Sequence, residues 1–573
     1  MYTPLPPSSD AFEHFTWSAI EPWYRELTAT ALTPETLLPW LTQWSRLSEL
    51  VEETMMRLEI AWSQNTADRA AAQHQQHFQE TIAPQVQSLN QHITHQLLES
   101  GFEPEGFAIP LRNLRAEAAL FREANLPLVQ EEHTLYTAYE RMRAAQTVLW
   151  EGETVTVPSI SRFLEQEDRE QRERAWHLIS ERQLADSEAL DTLWTKGLHL
   201  RQQIARNAGY ENYRDYRWQQ LFRFDYTPAD CQTFHAAIEQ VVIPAASHLW
   251  EKRRQLLGVE TLRPWDSEVD PRSKTSPLLS SQKKTREQQC VALFSCLDPQ
   301  LASYFETMIQ EQLLDLDVRP GKANMNCTFQ LPASRRPFLF AHMSGSVRDV
   351  FVLLHEAGHA FHEFEMGQLP YLYQRKDGFL PTEFAEVAST SMELIGPMHL
   401  HQAGLCTKRQ EAQLCVRRLA RTVMYWLPSS VRIDAFQHWV YDHPQQAANP
   451  RACDHTWTEL SRRYFPWIDW SGLDDALRTE WQQVQHIYCF PFYFIEYAIA
   501  ALGALQVWSA YRRDPRTALQ HYRSALALGA TKTVPELFET AGATFAFDPG
   551  TLQQAVHVLM QAIEEWETSS QSS

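Results

Sequence analysis

SVRDVFVLLHEAGHAFHEFE, residues Ser346–Glu365, places apolar residues from Val350 to Leu354 ahead of the pattern His355-Glu356-Ala357-Gly358-His359. Residues four apart lie one above the other on a helix, so His355 and His359 can turn both imidazoles toward one ion. Neutral imidazole is a good zinc ligand, and three protein ligands plus a water make a catalytic site. Glu356 projects beside that water, where a carboxylate can take its proton. Ser346-Val347-Arg348-Asp349 predicts a capped helix start.

A third ligand is needed. A longer histidine motif would require a glycine and a histidine at positions occupied here by His362 and Glu365, so that route is closed. PTEFAEVASTSMELIG, from Pro381 to Gly396, predicts a second helix, capped by Thr382, that supplies Glu383, Glu386 and Glu393. The residues alone leave both Glu383 and Glu386 open as the ligand; Glu383 also reads as a first-turn acid favoured by the helix dipole. Glu393 shares a face with Glu386 and could accept the N–H of a ligand imidazole or make an unrelated buried contact. His362 reads as a neighbour of the site or a core histidine, not a ligand.

Working outward, glycine supplies only 18 of 573 residues, which argues against a β-sandwich or barrel with its many turns. The apolar fraction of 44% is ample for a large core. Helical spacing recurs from Phe12 to Gly101, as in Leu47, Leu50, Val51, Met55 and Leu58, again from Arg112 to Gln146, and from a start near Ser159 and Ser161. EGETVTVPSI predicts a short hairpin or extended connector, whereas CTFQL and PFLFAHM predict strands. The strand through Phe338-Leu339-Phe340-Ala341-His342 could be an edge that pairs with an extended peptide, or an ordinary buried strand. The expected division is an N-terminal helical lobe, residues 1–195, and a catalytic lobe, 196–573, with a flexible loop at 267–289.

A net charge of −20 speaks against nucleic acid or an anionic membrane as the main partner. MYTPLPPSSD has no secretory pattern, no run is long enough to span a bilayer, and the eight cysteines form no CxxC pair. The expectation is a cytoplasmic protein with reduced thiols. Nothing in the sequence speaks to its oligomeric state.

HEAGHAFH followed by EFAEVASTSMEL resembles the oligoendopeptidase F branch of the thimet oligopeptidase family of zinc metallopeptidases. GYENYRDYRWQQLFRFDYTPADC, LGVETLRPWD, RIDAFQHWVY and HIYCFPFYFIEYAIAALGAL are similar to family segments as well, and together the resemblance covers about residues 205–510. GKANMNCTF departs from it, lacking the Gly-Gly-Tyr that often follows Gly-Lys-Ala. The resemblance implies a mainly α, two-lobed helical zincin-type body with a small β-sheet beside a deep substrate channel. It implies one zinc per chain on His355, His359 and Glu386, with Glu356 as general base. The aromatic segment from His486 to Tyr497 would by composition pack a core. The resemblance instead implies His486, Tyr497 and Tyr493 as donors to the transition state, with Tyr488 in reserve. Short unfolded oligopeptides, cut internally, are the implied substrates. Two alternatives stand beside this. A dipeptide-releasing zinc carboxypeptidase would need a cation for the substrate carboxylate, for which Arg421 and Arg432 are available. A non-catalytic peptide-binding protein would be expected to lack Glu356 or a ligand.

Overall fold

Scarce glycine and long apolar periodicities give a chain that is mostly helix, and the computed structural model describes residues 2–271 and 278–571. The helices that bear on the site are, in chain order, α1 (Leu37–Gln64), α2 (Pro228–Leu257), α3 (Asp349–Met366), α4 (Thr382–Ile395), α5 (Lys408–Arg421), α6 (Leu427–Asp442) and α7 (Phe494–Arg513). Leu47, Leu50, Val51 and Leu58 of α1 are buried, as their spacing predicts. The expected helix over 112–146 is two, Ala108–Leu120 and Leu126–Ala144, since Pro127 can occupy a first turn but not an interior.

EGETVTVPSI supplies the turn and second strand of a hairpin between β1 (Thr147–Trp150) and β2 (Glu153–Thr156), in register Trp150↔Glu153, and then enters a short helix at Val157. Glu151 and Gly152 turn it at φ 53° and 89°, the left-handed pair that two-residue hairpins need. A second sheet orders β3 (Leu314–Asp315), β5 (Arg336–Phe340) and β4 (Cys327–Leu331), with β3–β5 parallel and β4–β5 antiparallel. Of the two readings open for Phe338–His342, this favours the ordinary buried strand over the edge. β5 is the central strand, and the outer strands are the two-residue β3 and the five-residue β4. A two-residue β3 leaves no periodicity to read, so its pairing was invisible.

Three helix starts differ from expectation. The Asp349 carboxylate, not Ser346, organises the entry to α3, accepting from the Gly345 and Ser346 amides at 2.7 and 3.2 Å and from the Ser346 hydroxyl at 2.7 Å. Thr382 is the first residue inside α4, preceded by Pro381, and caps nothing. The long helix expected near Ser159 begins at Arg169, capped by Asp168, after a short helix Val157–Ser161. Of the expected 267–289 loop, residues 272–277 lie outside the described residues, and a helix already begins at Lys283.

One large apolar cluster joins α2, α3, α4, α6 and α7; a second gathers the N-terminal helices around Trp40 and Trp44, closed by Tyr373 and Phe379. α3 and α4 meet at Gly358. A Cβ there would lie 2.6 Å from Ser389 Cα and 2.7 Å from the Ala388 carbonyl, so the two backbones approach only because the side chain is absent. That approach sets the distance between the histidines of α3 and the glutamates of α4.

Candidate active site

α3 presents His355 and His359 one turn apart, with their Nε2 atoms 3.3 Å from each other. Glu386 reaches across from α4, its Oε2 lying 3.6 Å from His355 Nε2 and 3.9 Å from His359 Nε2. Two nitrogens and a carboxylate oxygen thus converge within 4.8 Å of one another. Ser389 Oγ donates to Glu386 Oε2 at 2.9 Å and fixes the carboxylate. Behind His355, Nδ1 meets Glu393 Oε1 at 2.8 Å, and Arg418 Nε of α5 donates to the other oxygen at 2.9 Å. Although burial opposes its charge, the Arg418 guanidinium and His355 hold the Glu393 carboxyl down at about 2. An ionised acceptor makes Nδ1 the protonated nitrogen and leaves Nε2 free to ligate.

The electrostatics fit a bound cation. Burial works against a charged His355, yet its hydrogen bond to Glu393 and the charges of Glu386, Glu393 and Glu356 raise it to about 10. Burial and then the charge on His355 push His359 down to about 3. Two bases at 3.3 Å can hold one proton between them, and the surrounding carboxylates favour a positive charge at that point. A divalent cation in place of the proton suits two imidazole nitrogens and one carboxylate, the donor set of a zinc site with an open position.

Glu356 is buried beside the histidines and accepts from Thr328 Oγ1 of β4 at 3.1 Å. Burial above all, then the Glu386 and Glu393 charges, push its carboxyl up to about 7 against the pull of His355 and Thr328. A carboxylate poised there can both take and return a proton near neutral pH.

A second wall comes from the aromatic segment. His486 sits in the short helix Gln485–Cys489, Tyr493 directly precedes α7, and Tyr497 lies one turn inside it. Their rings form a triangle: His486–Tyr493 5.6 Å, His486–Tyr497 6.0 Å and Tyr493–Tyr497 5.3 Å between centroids. Burial, then the Glu386 charge, raises both tyrosine hydroxyls, so they remain protonated donors. Burial drops His486 to about 4, leaving a neutral imidazole. The turn into Tyr493 is strained: Phe492 has φ 66°, held by its N–H to Gln437 Oε1 at 2.6 Å and by Arg223 Nη2 to its carbonyl at 2.5 Å.

Other candidates fall elsewhere. Glu383 accepts from Tyr226 Oη at 2.5 Å and lies 3.7 Å from Arg223, outside the convergent group. His362 is buried edge-on to Phe384 and joins no such group. Tyr488 stacks on Trp481 and points its hydroxyl to the Leu190 carbonyl at 3.4 Å, in the aromatic core. Sequence reasoning missed Thr328, Ser389 and Arg418: Thr328 and Arg418 reach the site only through the fold, whereas Ser389, three residues from Glu386 on α4, was within reach of helical spacing.

A cavity of about 260 Å³ opens over the site, lined by His355, Glu356, Tyr497, Trp426, Arg348 and Arg421 among others. Glu268, Arg417 and Arg421 also line a neighbouring cavity of about 360 Å³.

Comparison with known proteins bears on the family and the fold. Residues 162–555 match Peptidase family M3, and residues 9–106 match the Peptidase M3 N-terminal domain. Oligopeptidase PepF of Bacillus subtilis (strain 168) is 23% identical over 276 residues, which cover 47% of this chain and 39% of that protein. An oligoendopeptidase F homolog of Borreliella burgdorferi is 21% identical over 79% of this chain and 76% of its own length. The fold matches PZ peptidase A, solved with inhibitor 2, at a TM-score of 0.86 and 24% identity, covering 97% of this chain and 99% of that one. With the family profile spanning the whole constellation from Glu356 to Tyr497, the chain belongs to peptidase family M3, in its oligoendopeptidase F branch.

Proposed function

We propose that this chain is a zinc-dependent endopeptidase that cleaves short, unfolded oligopeptides. The observation that carries the reading is the convergence of His355 Nε2, His359 Nε2 and Glu386 Oε2 with the Glu356 carboxylate beside them. Zinc held by these three residues would polarise the scissile carbonyl and make the attacking water more acidic. Glu356 takes the water proton and passes it to the leaving amine, with Thr328 holding the carboxylate in place. Tyr497, which lines the cavity with Glu356, donates to the developing oxyanion, and His486 and Tyr493 complete that wall. An extended peptide could add to the outer strand β4, giving main-chain hydrogen bonds without dictating sequence.

Release of dipeptides from a free C-terminus is the second reading. Arg348 and Arg421 both line the cavity, and the charges of both bear on Glu268, which Arg421 meets at 3.1 Å, so neither is singled out for a substrate carboxylate. Arg432 is buried against Trp457 and Glu480 and cannot serve. Mass mapping of products from peptides with free and amidated C-termini tests both. Internal cleavage indifferent to amidation supports the endopeptidase; stepwise dipeptide loss that amidation abolishes would favour the other.

A further inference from the structure

A second set of donors lies between α2 and α6, with no residue in common with the site above. α2 carries Cys231 and His235, one helical turn apart, and α6 carries Asp434 and His438 at the same spacing on the facing helix. All four are buried, with exposures of 0%, 8%, 0% and 4% in that order. Cys231 Sγ, an Asp434 carboxylate oxygen and a His438 ring nitrogen lie within 4.8 Å of one another. His235 Nε2 meets Asp434 Oδ2 at 2.7 Å. His438 Nε2 comes within 3.3 Å of the same oxygen without hydrogen-bond geometry.

The polar accounting is unbalanced. Asp434 Oδ1 and both ring nitrogens of His438 are buried without a hydrogen-bond partner, and the His438 ring packs against Trp218 and Phe492. Leaving such groups dry and unpaired costs roughly 1–3 kcal/mol each, more for a charged one. Thiolate, imidazole and carboxylate are all ligands that zinc takes, and one of each converges here on facing helices.

We propose that Cys231, Asp434 and His438 bind a structural divalent metal ion of the thiophilic class, zinc being the best match, with His235 orienting the Asp434 carboxylate. The ion would tie α2 to α6. It would also brace the turn into Tyr493, since Gln437 of α6 holds the Phe492 amide and His438 packs on the Phe492 ring at 5.3 Å. The rival is a metal-free buried ion pair between Asp434 and one imidazolium, beside a neutral thiol.

Metal analysis of the full-length protein, prepared with zinc and then with cobalt(II), separates the two. The expected result is two equivalents per chain, of which Cys231→Ser loses one and His359→Ala the other. Cobalt-loaded wild type should show a thiolate-to-cobalt charge-transfer absorption that vanishes in Cys231→Ser and persists in His359→Ala, because the His355–His359–Glu386 group contains no sulfur. If Cys231→Ser does not fold, His438→Gln is read in the same way and the wild-type cobalt spectrum carries the decision. A single equivalent lost in His359→Ala with no such absorption, or a second equivalent that Cys231→Ser leaves in place, would overturn the proposal.

Discussion

His355 Nδ1 lies 2.8 Å from Glu393 Oε1, and the same carboxylate is gripped on its other side by Arg418 at 2.9 Å. One glutamate therefore fixes the ring orientation and the tautomer of His355. Glu393→Ala is expected to weaken metal affinity at this site by about 10–100-fold while leaving the fold intact. Titration with a competing chelator measures it. Unchanged affinity would mean that Glu393 merely fills space.

The two glutamates three residues apart on α4 should part company. Glu386→Ala loses the metal that His359→Ala also loses, whereas Glu383→Ala keeps it, because Glu383 is engaged with Tyr226 and Arg223. Metal content of the three purified variants decides. The reverse pattern would make Glu383 the ligand.

Glu356→Gln should retain the metal and lose about 10²–10⁴-fold in turnover, the usual worth of a general base. Steady-state rates beside metal analysis test this. Activity within a few fold of wild type would remove Glu356 from the mechanism.

Three tyrosines give a graded experiment. Tyr497→Phe should cut turnover by about 10²–10³ with little change in KM, as expected of a donor that acts in the transition state. Tyr493→Phe should cost less. Tyr488→Phe should leave turnover alone and shift only the melting temperature, since its hydroxyl faces the Leu190 carbonyl. Equal turnover in all three variants would refute the donor wall.

Gly358→Ala puts a methyl group against the Ser389 backbone at 2.6 Å, where no side-chain rotation relieves it. The expected cost is about 1–3 kcal/mol of stability. Activity should fall further still as α3 and α4 separate. Gly378→Ala, which meets nothing within 4 Å, is the control. Matching melting temperatures for the two would show that the helices have room to spare.

What the sequence made legible follows the range of the interactions. His355, Glu356 and His359 announce themselves because four-residue spacing on one helix is a local property. The choice between Glu383 and Glu386 was not local: it turns on Tyr226 and Arg223, which approach from a distant part of the chain. Arg418 is one of 51 basic residues, and only folding brings it to Glu393. At the helix starts, Asp349 and Thr382 fit a capping pattern, yet the turn at Gly345–Ser346 and Pro381 assigned them other positions. β5 is central rather than an edge because of a two-residue partner that leaves no pattern.

The close seating of α3 on α4 at Gly358 has a thermodynamic corollary. Two of the converging donors belong to one helix and the third to the other, so an ion bound among them is a cross-link whose strength scales with its free concentration. By linkage, a ligand present at 100 times its Kd adds about 2.7 kcal/mol to folding stability. Melting temperature in metal-buffered solutions should then climb with the logarithm of free zinc, and Glu386→Ala should flatten whatever part of that slope the α3–α4 contact carries.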